Sequence, residues 1–145
     1  MPVGTIIKWS HRALTAVLLL VVVVGGVIWY LDSAPRNDRL ISQRQLSDSV
    51  WLYVTKYQDA GATDSDVYRY YVNQHLTDPM HVLAKAAPFL EADTGSASVS
   101  AVGDHVLVSL NGKVYSFSNT AFYYDGKVPI MPRIDLNSTA VNPWK

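Results

Sequence analysis

The chain has 145 residues, enough for one domain, and this excludes solenoids and two-lobed enzymes. Its 12 Lys and Arg balance 12 Asp and Glu, so it lacks the cationic surplus that nucleic-acid binding requires. With no Cys it has no disulfide framework, no thiolate metal site and no cysteine nucleophile.

The first feature along the chain is an uncharged run from residue 13 to 31 that includes Val17-Leu-Leu-Leu-Val-Val-Val-Val24. At about 1.5 Å per residue it covers roughly 28 Å, the hydrocarbon thickness of a bilayer. Trp9 at one end and Trp29-Tyr30 at the other fit two headgroup layers, and are read as membrane-interface residues. The run is too long for the apolar core of a signal peptide. Its only small-residue site, Asp32-Ser33-Ala34, carries an acid and precedes Pro35, which predicts an uncleaved anchor. Residues 1–12 then form a cytoplasmic tail, 13–31 a transmembrane helix and 32–38 a polar linker. The short N-terminal tail and the net-negative remainder favour the N-terminus inside and the C-terminal domain outside. In a bacterium this is a single-pass inner-membrane protein with a periplasmic domain.

That domain is expected over 39–131. From Arg39 to Gln58, stepping at about 100° per residue places Leu46, Val50, Tyr53, Val54 and Tyr57 on one arc and predicts an amphipathic helix ended by Gly61. Thr63-Asp-Ser-Asp66 reads as a cap opening a second helix to about Leu76, and Asp78-Pro79 as the start of a short third one. After Gly95 the period changes to two. Asn111-Gly112 predicts a two-residue hairpin turn, so that Val108 faces Tyr115 and Val106 faces Phe117. Strands near 97–102 and 120–124, the latter turning at Asp125-Gly126, complete a meander. The expected fold is α+β: an N-terminal transmembrane helix, then two to three helices packed on an antiparallel β-meander, with a tail over 132–145.

Little chemistry is legible. Asp93-Thr-Gly-Ser96 spells an aspartic-protease motif but sits where a turn belongs, and Asp, Gly and Ser are turn formers. His75, Asp78 and His81 straddle a helix break and do not converge as metal ligands should. No nucleophile elbow, phosphate loop, dinucleotide fingerprint or zincin motif appears. The expectation is a non-enzyme with no cofactor, no metal, no catalytic residue and no small-molecule substrate. Trp51, Leu52 and Tyr70 fall off their helical arcs and are read as candidate partner-binding residues.

Ser49-Val-Trp-Leu-Tyr-Val-Thr-Lys-Tyr57, Asp66-Val-Tyr-Arg-Tyr-Tyr71 and Asp78-Pro-Met-His-Val82 resemble segments of the bitopic inner-membrane assembly subunits of type IV secretion and conjugation machines. The resemblance covers about residues 10–118. It implies a periplasmic NTF2-like domain, with a long first helix, shorter helices and a curved antiparallel sheet, acting by protein contacts as an assembly or accessory subunit of a secretion, conjugation or pilus-type complex. The partners expected are the bilayer and other envelope proteins. A periplasmic immunity or exclusion protein that neutralises a toxin or competing element has the same sequence features.

Overall fold

The computed structural model describes residues 3–32, 37–58 and 65–139. The chain divides into two compact units, Met1–Pro35 and Arg36–Lys145.

The first unit is α1, Val3–Asp32, a single helix. The segment Lys8–Tyr30 has a mean hydropathy of 2.5 and none of it is buried within the protein, so α1 is long and apolar enough to cross a membrane. The helix runs through most of the stretch expected as an N-terminal tail. The linker residues 33–36 lie outside the described residues.

The second unit is built mainly of strands. They are β1 (Asp38–Gln45), β2 (Trp51–Tyr57), β3 (Tyr68–Asn73), β4 (Leu90–Ala92), β5 (Ser98–Val102), β6 (His105–Asn111), β7 (Val114–Phe117), β8 (Tyr123–Asp125), β9 (Val128–Ile130) and β10 (Arg133–Thr139). One short helix, α2 (Pro79–Leu83), interrupts them. Thus the protein is α+β with an N-terminal apolar helix and a sheet-rich domain, but its two described helices are α1 and α2, so among the described residues of the domain only the five of α2 are helical.

The first two helices predicted for the domain are strands. β1, β2, β3, β4 and β7 form a five-stranded sheet in that order, antiparallel throughout. The helical arc was misleading because β2 is covered on both faces, so apolar residues fill consecutive positions and the period of two is hidden. Its Trp, Tyr, Val and Thr residues favour a pleated, half-buried surface. Leu52, Val54, Tyr70, Val72 and Leu90 face the main core, while Tyr53 and Tyr71 face a second cluster with Leu76 and Leu83. The long helix implied by the NTF2-like resemblance is therefore absent from 39–58. The predicted cap at Thr63-Asp64 and stop at Gly61 lie outside the described residues. The third helix is present: Asp78 caps α2, its carboxylate accepting the His81 N–H at 3.4 Å, and Pro79 occupies the first position.

A three-stranded sheet, ordered β10-β6-β5, closes the main core from the other side. β6 alternates as expected, with Val106, Val108 and Leu110 buried, and these meet Val99, Ile134 and the inner face of the larger sheet. The predicted pairing is not made. Val108 lies opposite Val99 and Leu136, not Tyr115, and β7 pairs with β4 in the other sheet. Asn111-Gly112 is therefore a crossover between sheets. Glycine is needed there because a Cβ on residue 112 would lie 2.5 Å from Asp93 Oδ1. The tight turns fall at Gly103-Asp104, between β5 and β6, and at Gly126-Lys127, between β8 and β9. Both glycines have positive φ, at 63° and 62°. The strand expected near 97–102 and the turn near Asp125-Gly126 thus appear within a residue or two of their expected places. The stretch expected as a tail from residue 132 contains β10, which runs parallel to β6, with Ile134 buried at 1% exposure. Residues 140–145 lie outside the described residues.

Candidate functional site

Strand register gives the domain two ends. Asp38 opens β1 opposite Tyr57, so one end holds Asp38, Tyr57 and Tyr68. Ala92 pairs with Tyr68, which brings the following Asp93–Ser96 loop to this end as well. β2 and β3 run for six or seven residues, roughly 20 Å at about 3.3 Å each, to Trp51 and Asn73 at the other. The Tyr123 hydroxyl donates to the Ser49 carbonyl (3.1 Å), and the Gly126 N–H donates to Gln74 Oε1 (3.3 Å). These bonds fix the β8–β9 hairpin at the end remote from Asp38.

The end near Asp38 is held by charge. On the outer face of the larger sheet, Arg69 of β3 bridges Asp38 of β1 (2.5 Å) and Glu91 of β4 (2.7 Å), while Thr55 of β2 donates to the other Asp38 oxygen (2.9 Å). The Asp38 side chain is only 4% exposed. Burial alone would lower the Arg69 pKa, but hydrogen bonds and charge from Glu91 and Asp38 outweigh it and push it above its ordinary value. Nearby, Lys56 pairs with Asp66 (2.8 Å), an exposed contact of small energetic weight. Asp93 is structural in its contacts: its carboxylate accepts the Lys113 N–H (2.9 Å) and its own N–H donates to the Lys113 carbonyl (3.0 Å), pinning the crossover.

The remote end is different in character. A groove of about 290 Å³ lies there, floored by Tyr71, Val72, Ala86, Ala87 and Pro88 and bordered by Asn73, Ser118, Thr120, Ala121, Phe122 and Met131. None of these side chains is charged. Phe122 and Met131 are 55% and 64% exposed on its rim, and Phe122 packs edge-on against Tyr124 at 5.1 Å. An apolar groove with exposed aromatic side chains at its edge is the kind of surface where interface anchors seat. Exposed Phe122, just ahead of β8, and exposed Tyr124 flank buried Tyr123, the alternation of a strand with one face in water. That alternation is the sequence signal for this site, and reading 120–124 only as one strand of a meander hides it.

The residues singled out from sequence are placed as follows. Trp9, Trp29 and Tyr30 are exposed on α1, about 20 residues apart or roughly 30 Å along the axis. Leu52 and Tyr70 are 3% and 0% exposed and belong to the main core, so they do not form a surface patch with Trp51. The helical wheel misplaced them because adjacent strand residues point to opposite faces. Trp51 is half-buried with its ring edge-on to His75 at 4.7 Å. Among the described residues, no three His, Asp or Glu side chains converge as metal ligands.

Two buried tyrosine hydroxyls make paired hydrogen bonds to the backbone. Tyr70 donates to the Thr94 carbonyl (2.6 Å) and accepts the Ala97 N–H (3.2 Å), tying the Asp93–Ser96 loop to the sheet. Tyr53 donates to the Gln74 carbonyl (3.0 Å) and accepts the Leu76 N–H (2.8 Å). Burial raises the pKa of Tyr53 and of Tyr70. It raises that of Tyr123 to about 12, with Asp125 adding to the effect. Comparison with family models, curated proteins and solved structures finds no match for this chain.

Proposed function

We propose that the protein is a membrane-anchored, non-enzymatic module that recognises another protein. In this reading α1 spans a bacterial inner membrane with its N-terminus inside, and the β-domain works in the periplasm. The observation that carries the reading is the pairing, in one chain, of a helix long and apolar enough to span a bilayer with a neutral, aromatic-rimmed groove. The groove lies at the end of the β-domain remote from Asp38. Its volume suits one or two apolar side chains of a partner, with Phe122 and Met131 closing over them. Lys8 and Arg12 ahead of the apolar run support the orientation.

The setting we assign is an assembly or accessory subunit of a secretion, conjugation or pilus-type envelope complex. Several side chains that could do acid–base work are engaged in structure: Asp93 on the crossover, Asp78 on α2 and His75 against Trp51. The test is purification of the full chain from membranes in mild detergent, beside Phe122→Asp and Met131→Asp. A multi-subunit particle that forms with the wild type and is lost from both variants supports the reading. A one-to-one complex with a toxin would reassign the protein to immunity, and a wild type that purifies alone would refute partner binding.

A further inference from the structure

The charges that precede the apolar run of α1 are one-sided. At 100° per residue, Lys8, His11 and Arg12 fall within an arc of about 100°, with Thr15 and Leu19 beneath them, whereas Ser10 and Ala13 point the other way. Orientation by positive charge depends on the number of cations near the membrane and does not require them to share a face. Lys8, His11, Arg12, Thr15 and Leu19 are all exposed. The Thr15 hydroxyl donates to the His11 carbonyl (2.8 Å), so it is satisfied within the helix and leaves a methyl group outward. The result is a cluster of donors at one level, two of them cations, directly above an apolar stripe that continues through Leu19 to Val23.

We propose that this face binds the headgroup of an anionic phospholipid, with Lys8, His11 and Arg12 around the phosphate and an acyl chain along Thr15, Leu19 and Val23. Lys and Arg reach a headgroup while their methylenes stay against apolar surface, and an imidazole N–H donates to a phosphate oxygen in either tautomer. Charge complementarity selects the lipid: the face offers donors and no acid, and below Thr15 and Ala16 it is bulky Leu and Val instead of a continued stripe of the small residues that let a second helix approach. The inference rests on α1 spanning the bilayer.

The experiment uses the full chain extracted in mild detergent, titrated with phosphatidylglycerol or phosphatidylcholine and read by native mass spectrometry. Carbonate extraction of the same membranes serves as the control for anchoring. The wild type is expected to retain phosphatidylglycerol preferentially, and Lys8→Gln and Arg12→Gln each to weaken that retention about five-fold. Arg39→Gln, an exposed change in β1, is expected to leave it intact. A carbonate-resistant protein that retains both lipids equally, or whose preference survives Lys8→Gln with Arg12→Gln, overturns the lipid site while leaving the anchor standing. Loss of a co-purifying protein from these variants, without a lipid preference in the wild type, overturns it in favour of an acidic partner helix. Release of the chain by carbonate overturns the anchor itself.

Discussion

Replacing Tyr70 by Phe removes one oxygen atom from the centre of the domain. The side chain is fully buried, so the ring keeps its packing against Phe89, at a centroid distance of 6.3 Å, and no cavity of methyl size opens. What is lost is the bond to the Thr94 carbonyl and the bond from the Ala97 N–H. Leaving a buried polar group without a partner costs about 1–3 kcal/mol, and because Thr94 and Ala97 are half-buried and water reaches them in part, the lower half of that range, ~1–2 kcal/mol, is expected. With a urea m-value of about 1–2 kcal/mol per molar for a domain of this size, the midpoint should fall by roughly 1 M. The assay is urea unfolding of the full chain in micelles, followed by near-ultraviolet circular dichroism of the tyrosines. Amide exchange should also quicken at Ala97. Tyr124→Phe, an exposed change in the same molecule, should stay within about 0.5 kcal/mol of the wild type. A Tyr70→Phe midpoint indistinguishable from wild type would refute the claim that the hydroxyl ties the Asp93–Ser96 loop to the sheet.

Arg69→Ala should be among the most damaging changes near Asp38, because it strands the Asp38 carboxylate at 4% exposure; a loss of about 3–5 kcal/mol is expected by the same unfolding assay. Alkaline pH should weaken the fold. The unfolded chain ionises its tyrosines near 10, while burial holds Tyr53, Tyr70 and Tyr123 neutral to higher pH. Stability is therefore full below pH 10 and declines through about 12, which a denaturation series across that window measures. Gly112→Ala should destabilise by about 1–3 kcal/mol, since its Cβ must displace the Asp93 carboxylate from the Lys113 N–H, and the thermal midpoint reads this directly.

What could be read from the sequence follows from how each segment is covered. The 13–31 run of α1 is apolar on every side, and its composition and length mark it without any pattern. β6 has one face on the core and one in water, so its alternation placed Val106, Val108 and Leu110 correctly. β2 and β3 have apolar cover on both faces, and the resulting runs matched a helical arc as well as a strand. The Asn111-Gly112 pair illustrates a different failure: turn chemistry specifies that a glycine is needed, but not that it serves a crossover, where a φ of 157° and the close approach of Asp93 both call for it. β10 was overlooked because its alternation, Ile134 and Leu136 between polar residues, follows Pro132 near the end of the chain. The groove draws on segments from Tyr71 to Met131, and only tertiary structure brings them together.

The central claim is that the β-domain meets its partner through the groove at the end remote from Asp38. Its most direct test is a photocrosslinking amino acid placed at Phe122, with Ser100 on the exposed face of β5 as control, irradiated in native membranes and analysed by mass spectrometry. The account predicts one discrete adduct at position 122, containing the same partner that co-purifies in detergent, and none at position 100. The absence of an adduct at 122, or equal labelling at both positions, would contradict it.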